Sequence, residues 1–234
     1  MVSPGASINQ ARFAQGLPVG PPYNLYNPTQ CPTINDGATS AVEIVTYPHP
    51  ALRHKSSAIK RVDNELKQVI RTMFELMYEA KGIGLAANQV NLPLRLFVAN
   101  LKSNPEEGEE VVFINPVISK PKGSEEAEEG CLSLPGLYGP VRRPKFVHVQ
   151  AFSPEGQEIN LDLDGLYSRV VQHETDHLDG VLFTDRMSNT NQLACEEALE
   201  EFSGEFRSRR ETGGIPNDAE IATHLAEWES RYCS

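Results

Sequence analysis

Cysteine is scarce in this chain, four among 234 residues, and the four are scattered: Cys31 in a proline-rich stretch, then Cys131, Cys195 and, beside the C-terminus, Cys233. That spacing builds neither a disulfide ladder nor a Cys-x-x-Cys knuckle. Long apolar runs are missing as well, so no segment reads as a membrane-spanning helix. Positive charge is in deficit, 21 Lys and Arg against 32 Asp and Glu, for a formal net charge of −11. Phosphate contact needs a basic face, which argues against a general nucleic-acid binder.

Residues 1–40 hold Pro4, Pro18, Pro21, Pro22, Pro28 and Pro32, with Arg12 as the sole cation. They lack both the apolar core of a signal peptide and the arginines of a transit peptide. The expectation is a loosely ordered leader, or a start codon assigned too early, with Tyr23, Leu25 and Tyr26 able to pack locally. The remaining length suits one domain with extensions: residues 41–189 as a catalytic domain and 190–234 as an acidic helical extension.

Leu66, Ile70, Met73 and Met77 recur at steps of four and three, which predicts a helix from Asn64 to Lys81. Leu94 to Val98, Val111 to Ile118 and Phe146 to Phe152 are short and β-rich. Val147, Val149 and Ala151 alternate as one buried face, which makes His148 structural rather than a ligand. Leu166 to Leu178 returns to helix. The predicted fold class is α+β, mostly antiparallel strands around a central helix. Leu193 to Phe206 reads as an amphipathic helix with Leu199, Phe202 and Phe206 beneath its glutamates, and Leu225, Trp228 and Tyr232 suggest a second, short one.

Two histidines lie on that central helix, in Gln172-His173-Glu174-Thr175-Asp176-His177-Leu178. Imidazoles four residues apart face one way and can share a metal ion, and Glu174 can then act on water bound to it. A divalent ion lowers the pKa of such water towards roughly 7, the chemistry of metal-assisted hydrolysis. The flanking Val170, Val171, Leu178, Val181, Leu182 and Phe183 make the segment buried, so its polar triplet needs partners. A third ligand is required. The pattern that adds Gly180 and a third histidine fails, because Phe183 stands where that histidine should be. Glu196 or Glu197 on the next helix is one candidate, although a solvated acidic face explains both. Cys131 in Glu129-Gly130-Cys131-Leu132-Ser133-Leu134-Pro135-Gly136 is the preferred one, since a Gly- and Pro-punctuated loop can turn a thiolate toward a metal. A Cys-His-His set leaves a fourth tetrahedral position open, as catalysis requires.

Three motifs in order, Gly82-Ile83-Gly84-Leu85-Ala86-Ala87-Asn88-Gln89, then Glu129 to Ser133, then Gln172 to His177, resemble the peptide deformylase family. Tyr47-Pro48-His49-Pro50-Ala51-Leu52-Arg53 extends the resemblance, which runs from about Val42 to Arg186. It implies a hydrolase that removes the N-formyl group from the initiator methionine of nascent chains and releases formate, in a bacterial-type cytoplasm. It further implies that Cys131, His173 and His177 hold the metal, Glu174 is the acid/base, and Gln89 with the Leu132 N–H binds the developing oxyanion. The implied ion is Fe²⁺, with Ni²⁺, Co²⁺ or Zn²⁺ as substitutes, all compatible with imidazole and thiolate. The implied partners are N-formylmethionyl nascent peptides.

In this reading Gly82, Gly84 and Gly130 bring backbone close to the substrate, and Ile83, Leu132, Leu166 and Val170 are candidates for the methionine pocket. Asp176 cannot share the histidine stripe and is expected to meet Arg143, while Glu129 is a candidate anchor for the cysteine loop. Some bacterial members carry a basic C-terminal helix that docks near the ribosomal exit tunnel. Here Glu196 to Glu205 is acidic, so transient ribosome contact is left to a local patch. Two other readings compete: a glutamate-ligated zinc peptidase, and a metal-holding protein without catalysis, which would need neither Glu174 nor Gln89.

Overall fold

Asp63 opens the first helix, α1 (Asn64–Glu79), its carboxylate accepting from the Leu66 N–H at 3.0 Å. The computed structural model describes residues 42–234. The leader, with Cys31, Tyr23, Leu25 and Tyr26, lies outside the described residues. Leu66, Ile70, Met73 and Met77 are all buried, as their spacing predicts. α1 stops short of the expected Lys81, because that residue turns left-handed (φ 56°) and the Gly82 N–H closes onto the Met77 carbonyl at 2.8 Å.

Seven strands follow: β1 (Gly84–Ala86), β2 (Leu96–Ala99), β3 (Val111–Lys122), β4 (Glu125–Cys131), β5 (Leu134–Arg143), β6 (Phe146–Phe152) and β7 (Glu158–Asp164). A five-stranded antiparallel sheet runs β1-β2-β3-β6-β7, and β4 with β5 forms a separate hairpin. Helix α2 (Gly165–Leu178) carries the paired histidines.

Alternation along β2 and β3 explains the layering. Leu96, Val98, Val112 and Ile114 pack with α1, whereas Phe97, Ala99 and Phe113 pack with Val170, Val171 and Leu178 of α2. A strand covered on both faces reads as an unbroken apolar run, as Leu96-Phe97-Val98-Ala99 does. Farther along the sheet, Val147 and Val149 pair with Leu163 and Leu161, and all four face α2. The fold is α+β with antiparallel sheets, as the sequence predicts, and the histidine helix covers one face of the larger sheet.

α2 ends at Gly180 (φ 73°), where the Gly180 N–H meets the His177 carbonyl and the Val181 N–H meets the Asp176 carbonyl, each at 2.9 Å. A side chain on Gly180 would run into the Arg53 carbonyl oxygen at 2.6 Å, so this glycine serves the turn rather than a metal motif.

The tail divides into α3 (Asn189–Ala194), α4 (Glu196–Glu211) and α5 (Asp218–Tyr232). Instead of one helix across Leu193 to Phe206, the chain breaks at Cys195, which is buried against Leu134, Val141 and Phe183. Phe206, Ile215, Ile221 and Leu225 close over Ala51, and Tyr232 enters the α1 core. The tail thus covers the domain. Among the described residues no helix is long and apolar enough to cross a membrane.

Tyr232 is 1 % exposed, stacks on Trp228 and donates its hydroxyl to Asp63, the residue that caps α1. Tyr232→Ala should therefore cost about 3–5 kcal/mol in a urea titration, as for other large core truncations. A loss well under 1 kcal/mol would mean that the tail only rests on the domain.

Candidate active site

The β4–β5 hairpin and α2 bring sulfur and imidazole together. His173 and His177 are one helical turn apart, with ring centroids separated by 4.9 Å. Cys131, placed in a loop by its glycines and prolines, is instead the last residue of β4 and pairs with Leu134 across a tight turn. A register shift between Gly130 and Cys131 interrupts the ladder there. The Cys131 Sγ lies 3.2 Å from His177 Nε2, and one ligand atom from each of Cys131, His173 and His177 falls within 4.8 Å of the others.

Glu129 sets the direction of His173. Its Oε2 meets His173 Nδ1 at 2.9 Å, which leaves Nε2 for the cysteine side. The same carboxylate receives Arg143 through Nε at 2.7 Å and Nη2 at 3.0 Å, and Arg169 Nη1 at 2.6 Å. Arg143 also reaches Asp176 at 2.7 Å, and Arg186 meets Asp176 from the other side at 2.6 Å. Helix geometry calls for a cation at Asp176, and the Arg143 partner that the resemblance implies is present; Glu129 is a buried anchor for the cysteine strand.

Every expected site residue except His177 lines one cavity of about 700 Å³: Gly82, Ile83, Gly84, Gln89, Gly130, Cys131, Leu132, Leu166, Val170, His173 and Glu174. His177 sits behind it, 1 % exposed. Gln89 belongs to a 3-10 turn, Ala87–Val90. Its Oε1 accepts from the Ala86 N–H at 2.8 Å, so its amide NH₂ is turned toward Ser133 Oγ at 3.3 Å and Cys131 Sγ at 3.4 Å. A Cβ on Gly84 would strike the Glu174 carboxyl carbon at 2.9 Å, and one on Gly82 would strike Leu132 at 2.7 Å. These glycines make room for the Glu174 and Leu132 side chains.

Two buried carboxylates diverge. Burial pushes Glu174 up to about 7, and its Oε2 has no hydrogen-bond partner among the described residues. Burial opposes ionisation of Glu129 too, yet its bonds to His173 and Arg143 hold it down at about 2. Burial likewise opposes a cation at His173, but hydrogen bonds to Cys131 and Glu129 outweigh it and raise His173 to about 10, while burial and the His173 charge push His177 well below its ordinary value. Cys131 and Glu129 thus favour positive charge at His173, while burial and that charge keep the His177 ring neutral. One thiolate and two imidazoles, a donor set suited to Fe²⁺, Co²⁺, Ni²⁺ or Zn²⁺, fit a divalent ion there.

Glu196 and Glu197 are exposed on α4 and outside this group, which removes the support for a glutamate-ligated peptidase. His148 is buried against Asp162 at 2.7 Å, structural as read. Sequence reasoning missed Arg169, Ser133, and Asn88, whose amide donates to the His177 carbonyl. Arg169 carried a signal, since residues 169, 173 and 177 recur at steps of four along one stripe.

A family model described as polypeptide deformylase matches residues 41–193. Peptide deformylase of Rhodopirellula baltica is 51% identical over 191 residues, 82% of this chain and 95% of that protein. The chloroplastic/mitochondrial peptide deformylase 1B of Arabidopsis thaliana is 40% identical over 181 residues, 77% of this chain and 65% of that protein. Among solved structures, a plant peptide deformylase superposes with a TM-score of 0.70 at 40% identity, covering 77% of this chain and 97% of the other. Peptide deformylase of Plasmodium falciparum gives 0.67 at 39% identity, covering 71% and 98%.

Arg143→Ala would take from two buried carboxylates the one cation they share, leaving Glu129 to Arg169 and His173 and Asp176 to Arg186, so it should destabilise the protein by up to about 3–5 kcal/mol and lower its metal content. Unchanged stability and metal content would contradict the network. Because Glu129 is held below its ordinary 4.5, its contribution to stability is complete above that pH and disappears as pH falls toward about 2. Metal-free protein should lose stability across that window, and Glu129→Gln should flatten the slope in acid-unfolding titrations; an unaltered slope would count against the ionised anchor.

Proposed function

This chain belongs to the peptide deformylase family and is a hydrolase that removes the N-formyl group from nascent chains, and from that premise we propose how its own residues divide the work. The family is metal-dependent, and Cys131, His173 and His177 are the residues that would hold the ion, with Fe²⁺ as the proposed metal and Ni²⁺, Co²⁺ or Zn²⁺ as substitutes. Such an ion, when bound, supplies Lewis-acid polarisation and a water acidified to near neutral pH.

Glu174 is the acid/base. A carboxyl that burial brings to about 7 takes a proton from the attacking water and returns it to the departing amine with little mismatch at neutral pH. The Gln89 amide and the Leu132 N–H meet the oxygen that becomes negative, and the Ala86 N–H keeps the Gln89 amide from flipping its oxygen into the site. Ile83, Leu132, Leu166 and Val170 offer the methionine side chain an apolar wall, and Gly82, Gly84 and Gly130 allow the peptide backbone near. A bacterial-type cytoplasmic setting is proposed on the likeness to the Rhodopirellula baltica protein, while the plant relatives carry chloroplastic names.

The observation that carries this reading is the unpartnered Glu174 carboxylate on a cavity wall beside a converging Cys-His-His group. A protein that merely stored metal would need no such buried, unpartnered acid.

Anaerobic formate release from N-formyl-Met-Ala-Ser tests it. Oxygen must be excluded, because a thiolate ligand is open to oxidation. Glu174→Ala should keep its metal and lose about 10²–10⁴-fold in turnover, and Gln89→Ala about 10²–10³-fold. Near-parental turnover in Glu174→Ala would sink the assignment. With Co²⁺ bound, a sulfur-to-metal charge-transfer band should be present in the parent and lost in Cys131→Ala; its persistence would exclude Cys131 as a ligand.

A further inference from the structure

We propose that Arg169 is a positioning residue of the metal centre, fixing the spacing between the helix that supplies the imidazoles and the strand that supplies the sulfur. The proposal rests on the reading of Cys131, His173 and His177 as ligands of one ion. It concerns a residue that touches none of them.

The donors sit on separate elements, the imidazoles on α2 and Cys131 at the end of β4. Their convergence therefore depends on how firmly the hairpin is held to the helix. Arg169 lies one turn before His173 on the same stripe of α2, with its side chain 11% exposed. Its Nη1 donates to Glu129 Oε1 at 2.6 Å and to the Val141 carbonyl at 2.9 Å, and its Nη2 donates to the Glu125 carbonyl at 2.9 Å. One guanidinium thus binds both strands of the hairpin, at the two ends of the β4 segment Glu125–Glu129 and at β5.

Glu129 is where this grip reaches the metal site. Its Oε1 is taken by Arg143 and Arg169 and its Oε2 by His173 and Arg143, so the two arginines leave the carboxylate one orientation in which to receive His173 Nδ1. Arg143 arrives from β5, whereas Arg169 and His173 both arrive from α2. With Arg169 in place, the helix holds the carboxylate at two points one turn apart, which fixes translation as well as tilt of α2 against β4. The planar five-donor fork of arginine serves three acceptors in different directions; an ammonium cannot reach all three from one stem. Outer partners of this kind tune affinity by orienting the ligands rather than by touching the ion.

Arg169→Met and Arg169→Lys test this with Co²⁺-loaded and metal-free protein, read by chelator competition, the visible absorption spectrum and the melting temperatures of both forms. Arg169→Met should hold Co²⁺ about 10–100-fold more weakly, shift the absorption bands and narrow the gap between loaded and metal-free melting temperatures, with Arg169→Lys intermediate. A purely structural role predicts that both melting temperatures fall together with the gap and the spectrum unchanged, and that result overturns the proposal. Should Arg169→Met fail to fold, Arg169→Lys decides alone: a narrowed gap and shifted bands support the proposal, and parental values overturn it. Absence of a Cys131-dependent band in the parent would instead defeat the ligand reading itself, a separate outcome.

Discussion

The buried carboxylate of Glu129 is the constraint on which the site depends. It belongs to β4, two residues before Cys131, yet it binds His173 on α2. Through that one group the sulfur-bearing strand and the imidazole-bearing helix share an anchor. Burying a carboxylate costs several kcal/mol unless partners compensate, and here two arginines and an imidazole do so. The alternating series Arg186, Asp176, Arg143, Glu129, Arg169 spreads that compensation across α2, both strands of the hairpin and the turn after the helix. Little in such a network can be removed singly, because each loss leaves an opposite charge buried.

The contrast between Glu129 and Glu174 shows how one pocket runs two kinds of carboxylate. Glu129 is surrounded by donors and stays ionised; Glu174, beside Gly84 and the cavity, has a burial penalty with little to offset it. Environments that push two acids apart also divide their tasks, one structural and one able to exchange a proton near neutrality. The glycine at position 84 is part of that arrangement, since any side chain there would collide with the Glu174 carboxylate.

Sequence patterning disclosed several of the elements whose burial is one-sided or complete. The α1 stripe, the alternation in Phe146–Phe152 and the helix bearing the histidines follow directly from period and composition. β4 was hidden, because Glu125-Glu126-Ala127-Glu128-Glu129-Gly130 has no apolar alternation: among the described residues the hairpin pairs only with itself, and its buried member is an acid satisfied by arginines. β7 was overlooked although Ile159, Leu161 and Leu163 alternate through it. Cys131, His173, Glu174 and His177 were legible as chemistry, and Asp176 as an acid in need of a cation, with Arg143 as its partner only through the family resemblance. Arg169 and Ser133 were not, since which cation meets which buried acid is decided by the approach of three elements distant in sequence. The covering role of the tail was equally undecided by its amphipathic pattern, and rests on Tyr232 reaching the cap of α1.

The central claim is that one sulfur and two ring nitrogens of this chain grip a single ion at the cavity wall. X-ray absorption at the edge of the bound metal reads that shell directly. The account predicts one sulfur and two imidazole nitrogens, with the sulfur signal absent in Cys131→Ala. A shell of nitrogen and oxygen alone in the parent protein would contradict it.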